Sequence, residues 1–201
     1  MEVVLHKGLM SYTRRAVHWD ADTRGRRDFE RQVRQTIKDD GELVYLDSTD
    51  SFDEIDFELG CRGRRLFVEV KEKLQHYRAA WQEASAVPEE DLFILDELAA
   101  RKIILRAPRA YLLIHDAICE RLSVFGALEL LTAPKDRLDR SIEANVATFK
   151  GKWLIDLLHG FECASLAEAL DYIKRRSTSE EDAWQGLACH GRYRDEHLPR
   201  I

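Results

Sequence analysis

The chain has 201 residues, 45% of them hydrophobic and 34% charged, which is enough to bury one substantial core without disulfides or structural metal. No apolar run approaches the roughly 20 residues that span a bilayer, and the N-terminus lacks the segments of a signal peptide, so we expect a cytoplasmic protein with no membrane partner. The net charge of −6 excludes attraction of nucleic acid by overall charge, so any polyanion must meet a local basic patch.

The first predicted element is an amphipathic helix over 24–38, because apolar residues recur there at every fourth position: Phe29, Val33 and Ile37. Glu30 shares a face with this stripe. Its carboxylate either binds a cation beside the core or pairs with arginines of the same helix. One such arginine, Arg27, belongs to a basic cluster that is a candidate for nucleic-acid contact. Residues 42–48 then predict a strand.

Two alternating runs predict a β-hairpin that turns at Gly63. On the first strand Ile55, Phe57 and Leu59 share one face, and Asp56 lies on the other. On the second strand the apolar face is formed by Leu66, Val68 and Val70, and the opposite face carries Glu69 and Lys71. Pairing of the strands therefore brings Asp56, Glu69 and Lys71 together on one side of the sheet.

Two carboxylates held close together repel each other unless a proton or a cation intervenes. A hard divalent ion such as Mg²⁺, or Mn²⁺ in its place, suits this pair, since it takes one or two carboxylates and completes its coordination with water and phosphate oxygens. Lys71 lies about 7 Å along the strand from Glu69, within reach of an attacking water or a negatively charged phosphoryl group. The arrangement suits hydrolysis of a phosphodiester.

The dipeptide Ile55-Asp56, the short turn and the VEVK run ending at Lys71 resemble the PD-(D/E)xK nuclease superfamily, which has the restriction endonuclease-like fold. The resemblance covers residues 24–82, with Ile55 where the motif name has proline. It implies that Asp56 and Glu69 are metal ligands, that the backbone carbonyl of Val70 is a further ligand, and that Lys71 is the catalytic lysine. It also implies a catalytic role for Glu30 on the preceding helix.

Other residues near the hairpin are further candidates. Gln75 follows the motif where relatives place a glutamine near the substrate, and Tyr77 either joins it or packs in the core with Leu74 and Trp81. Asp53 competes with Asp56 as the first acid, although it precedes the strand. The basic turn next to the motif is a candidate for holding the phosphate backbone through Arg62, Arg64 and Arg65.

Beyond the hairpin, periodicity predicts a mixture of helices and strands. Helices are predicted at 74–81, from Pro88 to about Lys102, at 118–125, at 138–146 and, from a capping box at Ser165 and Glu168, through about Arg175. Strands are predicted at 111–116 and 152–158, and a short helix is predicted near Trp184. The scattered cysteines fit reduced thiols, and Cys189, His190 and His197 depart from the spacing of zinc sites.

These elements predict an α/β protein of mixed type, with a central mixed sheet flanked by helices, a restriction endonuclease-like core and a helix-rich C-terminal half. We expect a single domain over 1–176 and a polar tail over 177–201. The predicted function is a metal-dependent nuclease acting on DNA, with a homodimer compatible with double-strand cutting. Two alternatives stay open: an idle nuclease-like module that binds nucleic acid or protein, and an unrelated interaction protein.

Overall fold

The structure, a computed structural model, describes residues 16–51, 54–143 and 146–176, with side chains described outside 16–27 and 140–149. Several sequence predictions concern residues beyond these limits. Asp53 and the side chain of Arg27 are among them, as is the tail from residue 177 with the helix predicted near Trp184.

The chain begins its described part with helix α1, Ala16–Asp40, which confirms and extends the helix predicted over 24–38. Its apolar stripe is buried, with Phe29, Val33 and Ile37 at most 2% exposed. Gly41, at φ +70°, follows the helix in the left-handed region that glycine adopts without strain. The helix therefore lies on the core through the residues that the periodicity identifies.

The next three strands form the predicted hairpin and its neighbour: β1 Val44–Asp47, β2 Phe57–Cys61 and β3 Arg64–Lys73. All three are antiparallel to their neighbours in this set. The two residues between β2 and β3, Arg62 and Gly63, both have positive φ, at 49° and 76°. This is the two-residue turn whose twist matches paired strands. The turn fixes the register in which Phe57 faces Val68.

The remaining elements are mostly strands. In chain order they are α2 Ala79–Glu83, β4 Leu92–Asp96, α3 Glu97–Ile104, β5 Ala110–Asp116, β6 Arg121–Gly126, α4 Ala127–Thr132, β7 Lys135–Glu143, β8 Val146–Asp156, a 3₁₀ turn Leu157–His159, β9 Phe161–Cys163 and α5 Leu166–Arg176. The central sheet has the order β1-β2-β3-β5-β6-β9, with β3 and β5 parallel and the other pairs antiparallel. A second sheet has the order β4-β8-β7. The fold is therefore mixed α/β with a mixed central sheet, as predicted.

The central sheet separates two apolar clusters. On strand β5, Tyr111 and Leu113 pack in one cluster with α1 and α5, whereas Leu112 and Ile114 pack in the other with α3, α4 and the second sheet. Side chains alternate along a strand, so β5, buried on both faces, has a continuous apolar sequence. The sequence prediction of a buried strand at 111–116 is confirmed.

Several predicted helices are wrong. In the helix predicted from Pro88 to about Lys102, strand β4 comes first and only the part from Glu97 is helical, as α3. Strand β6 replaces the helix at 118–125, and β7 with β8 replace the helix at 138–146. The helix predicted directly after the hairpin is reduced to the five residues of α2. The C-terminal half thus holds more strand than predicted. The strand at 152–158 and the helix opened by Ser165 and Glu168 are confirmed.

One side-chain prediction in the hairpin is also corrected. Ile55 packs in the cluster with α3, not with Phe57 and Leu59, because strand β2 begins only at Phe57 and the preceding backbone does not continue its alternation. None of the helices in the described ranges is long and apolar enough to cross a membrane.

Candidate active site

Asp56 and Glu69 are brought together by the register of the hairpin. Phe57 faces Val68, so the residue before β2 lies beside the residue after Val68, on the face of the sheet that α3 covers. The backbone N–H of Val70 donates a 2.7 Å hydrogen bond to Oδ2 of Asp56 and fixes that carboxylate against β3. Both acids are buried, Asp56 at 7% exposure and Glu69 at 1%. The predicted juxtaposition is present.

Three oxygen atoms converge on the ammonium of Lys71. Its Nζ lies 3.3 Å from Oδ2 of Asp56, 2.7 Å from Oε1 of Glu69 and 2.8 Å from the carbonyl oxygen of Val70. These oxygens belong to the three groups that the resemblance to PD-(D/E)xK nucleases implies as metal ligands. One cation can therefore touch all three at once, which is the geometric requirement of a shared ion site.

The electrostatics of the site follow from this crowding. Burial raises the pKa of Glu69 above its ordinary value, the Lys71 ammonium opposes the shift, and the Asp56 charge adds to it. For Lys71, burial by itself would lower the pKa, but the Asp56 and Glu69 carboxylates outweigh it and the pKa is raised. The lysine is thus held in its charged form between two acids.

A second lysine, Lys102 of helix α3, completes the charge arrangement. Its Nζ donates a 2.6 Å hydrogen bond to the carbonyl oxygen of Glu54 and lies 3.7 Å from Oε1 of Glu69. It therefore ties the segment that leads into Asp56 to the second acid. Sequence reasoning missed Lys102, since 33 positions separate it from Glu69 and only the packing of α3 joins them.

The donor set fits a hard divalent cation. Oε2 of Glu69 is buried and has no hydrogen-bond partner, so this carboxylate has an acceptor site that the protein leaves unused. In the described part of the chain, no three His, Cys, Asp or Glu side chains are grouped to hold a metal. The protein would supply two carboxylates and one carbonyl, a sparse set of the kind that Mg²⁺ completes with water and phosphate oxygens.

The other predicted catalytic residues lie at a cavity of about 270 Å³ that Lys71 and Val70 also line. Glu30 and Gln75 contribute to its wall. The charge of Glu30 also contributes to the raised pKa of Arg34, for which the hydrogen bond to Asp47 is the larger cause. The ion-pair interpretation of Glu30 thus has a partner on its own helix, and its catalytic role stays a prediction.

The basic turn lies at the far end of the hairpin from the acids. Arg65 is four residues from Glu69, about 13 Å along the strand, and Arg62 and Arg64 are further. Arg65 donates hydrogen bonds of 2.5 and 2.6 Å to the carboxylate of Glu58. Arg62 is exposed, and its Nη2 lies 3.8 Å from a carboxylate oxygen of Glu42. Contact between this turn and a phosphate backbone stays a prediction. Such a contact would lie several nucleotides away from the acids.

No protein-family model and no curated protein matches the chain. Among solved structures, the chain is similar to Hjc, a Holliday junction resolvase from the archaeal hyperthermophile Archaeoglobus fulgidus, with 13% identity and a TM-score of 0.39 over 72% of this chain and 98% of that one. It is also similar to D212, a nuclease from a fusselovirus, with 11% identity and a TM-score of 0.39 over 82% of this chain and 98% of that one. Likeness at this level concerns the backbone arrangement alone, and the chemistry of this chain has to be argued from its own side chains.

Proposed function

We propose that this protein is a metal-dependent nuclease that hydrolyses phosphodiester bonds, with DNA as its substrate. The observation that supports the proposal is the convergence of Asp56, Glu69 and the Val70 carbonyl on a single cationic atom of Lys71. A solvated charged strand face does not need this arrangement, because there each charge would be satisfied by water. Two buried acids meeting at one point require a cation or a proton between them.

Asp56, Glu69 and the Val70 carbonyl would hold Mg²⁺ or Mn²⁺. When bound, such an ion polarises a phosphoryl oxygen and lowers the pKa of a water. The hydrogen bond from the Val70 N–H keeps one oxygen of Asp56 oriented, so the ligand set is arranged before the substrate arrives. The residues of β3 therefore both supply and position the ligands.

Lys71 would act as a charged group and not as a base. In the hydrolysis, a water oxygen bonds to the phosphorus and gives up a proton to solvent, while the bond to the leaving oxygen breaks and that oxygen takes up a proton from solvent. Negative charge therefore grows on the phosphoryl oxygens as the water attacks. The carboxylates raise the pKa of Lys71, which keeps its ammonium protonated at neutral pH. Its role is then to stabilise the developing negative charge, and a neutral side chain of similar length cannot do so.

The experiment is a cleavage assay with linear, circular, single-stranded and structured DNA and RNA in Mg²⁺ and in Mn²⁺. Lys71→Met should abolish cleavage and preserve the circular dichroism spectrum in Mg²⁺ or Mn²⁺, where the ion takes the place of the ammonium between the two acids. A Lys71→Met protein that cleaves as fast as wild type would contradict the mechanism. Glu58→Gln is the matched control, since Glu58 lies on the same face of the sheet as Lys71 but pairs with Arg65.

A second candidate function is a binding module with an idle site. The specific observation behind it is that the Lys71 ammonium already contacts both carboxylates without any added ion. This candidate predicts that DNA binding persists, that Mn²⁺ produces no binding heat, and that no metal supports cleavage. The nuclease proposal predicts the opposite for the last two measurements.

A further inference from the structure

The cavity of about 270 Å³ lies next to the carboxylate pair and is lined in part by Val70 and Lys71 of the site. Its other walls come from α1, from the end of β3, from the segment between β3 and β4, from β4 itself and from β8. The residues of interest are Leu74, Gln75, Tyr77 and Trp81, which follow the motif directly in the chain. A ligand in this cavity would therefore contact the side chain of Lys71.

The apolar residues of this wall are not buried as their spacing predicts. Leu74 is 39% exposed, and helix α2, which carries Trp81, has no buried residue. Leu74, Tyr77 and Trp81 would form the core stripe of a longer helix, but they border an open cavity beside a charged site instead. Large apolar side chains left partly open at a concave, charged site are typical of ligand contact.

Part of the wall is held in place. The hydroxyl oxygen of Tyr77 accepts a 3.2 Å hydrogen bond from the backbone N–H of Ile94, and the backbone N–H of Tyr77 donates to Oε1 of Glu89 at 3.2 Å. The ammonium of the buried Lys73 lies 5.0 Å from the centre of the Tyr77 ring. Tyr77 is thus held at its hydroxyl and at its backbone before any ligand binds.

We propose that this cavity binds one unstacked base of the strand whose phosphate is cleaved at the neighbouring site. A base is flat and apolar on its faces and polar at its edge, which suits Trp81 and Tyr77 as stacking surfaces and the Gln75 amide as an edge partner. Lys71 connects the two sites, so the ligand must carry a phosphate close to the base. The inference rests on the proposed nuclease function and names its substrate class: nucleic acid with unpaired nucleotides at the cleavage point.

The test is a thermodynamic cycle between one base and one tryptophan. Full-length protein is titrated in metal-free buffer with a single-stranded oligonucleotide, and with versions in which the base is removed at one position at a time. At one position, base removal should weaken binding by wild type by about fivefold or more. The same base removal should not weaken binding by Trp81→Ala, because this variant lacks the stacking partner. Trp81→Phe should restore the sensitivity.

His76→Gln is the matched control, since His76 carries a flat ring in the same segment, is exposed and does not line the cavity, and glutamine keeps a donor for the contact with Glu89. It should keep the wild-type sensitivity to base removal. If base removal at every position weakens binding by Trp81→Ala as much as it weakens binding by wild type, the proposal is overturned. Cleavage in Mg²⁺ is measured separately, with unpaired and fully paired strands. If base removal and Trp81→Ala are coupled but no metal supports cleavage, the nuclease function is overturned and the base site remains. If the protein cleaves but the two changes are not coupled, the base site is overturned and the nuclease function remains.

Discussion

The Asp56 carboxylate makes contacts of two kinds that a substitution can separate. It accepts a hydrogen bond from the Val70 N–H, and it attracts the cation at the site through its charge. Asp56→Asn keeps an oxygen for the first contact and removes the charge needed for the second. We expect Mn²⁺ affinity by calorimetry to fall at least tenfold and DNA cleavage to fall about a hundredfold or more.

The control for this prediction is Glu58→Gln, two residues further along the chain on strand β2. Glu58 pairs with the exposed Arg65 and lies away from the converging oxygens. Loss of this surface pair should change neither metal affinity nor cleavage at saturating DNA by more than about twofold, since exposed pairs contribute little. Equal losses in the two variants would remove Asp56 from the metal site.

Glu69 supplies a prediction about pH. Burial raises its pKa above the ordinary 4.5, against the opposing charge of Lys71 and with the added charge of Asp56. The folded protein then holds this proton more tightly than the unfolded chain does. Its contribution to stability is fully present below about pH 4.5 and is lost as pH rises through the raised folded value.

The measurement is the free energy of unfolding of wild type and of Glu69→Gln, in metal-free buffer, across that pH range. The wild-type value minus the variant value should decline as pH rises, because only wild type buries an ionising carboxyl at position 69. Added Mn²⁺ should raise the free energy of unfolding of wild type at the upper end of the range and leave that of Glu69→Gln nearly unchanged. A difference that grows with pH would contradict the raised pKa.

Residues of the site differ in how far sequence reasoning reaches them. Asp56, Glu69 and Lys71 lie within 16 positions of one another, and the two-residue periodicity of paired strands is enough to place them on one face. Lys102 carries no such signal, because its contact with Glu69 depends on how α3 packs. Local alternation therefore predicts the positions of the two acids and of Lys71 but not that of Lys102 beside them.

At the scale of elements, α3 is the support of the site, and Ile103 is its main anchor. This side chain is fully buried in the cluster beneath the helix. Ile103→Ala should lower the free energy of unfolding in urea by about 2–5 kcal/mol, through lost burial and a cavity. Leu105→Ala, at 82% exposure just after the helix, should change it by no more than about 0.5 kcal/mol. Similar losses in both variants would mean that α3 packs differently.

The wrong helices have a common physical cause. Positions four apart share a face in a helix and also in a strand, so the spacing of Leu138 and Ile142 fits both strand β7 and a helix. In β6, Ser123, Val124 and Phe125 are all buried, and burial on both faces removes the alternation that marks a strand. The hairpin was predictable because one of its faces is polar; these strands lack so clear a contrast.

At the scale of the whole molecule, the net charge of −6 opposes nucleic-acid binding, so affinity has to come from local cations. Lys71 at the site and the turn residues Arg62, Arg64 and Arg65 are the cations expected to contact phosphates. Four such contacts predict that the logarithm of the association constant falls against the logarithm of salt concentration with a slope of about −3 to −4. A slope near zero would exclude the arginines from binding.

Arg62 is the arginine with which to test the contribution of the turn. Its φ of 49° is in the left-handed region, which asparagine tolerates better than most residues, so Arg62→Asn removes the charge and keeps the turn. The salt slope for DNA binding should become less steep by about one, with an equal loss of affinity for all sequences. Arg175→Gln is the control, because Arg175 is an exposed arginine on α5, which packs in the cluster on the opposite face of the central sheet from the site. If Arg175→Gln reduces the slope as much as Arg62→Asn does, phosphate contact is not localised at the hairpin turn.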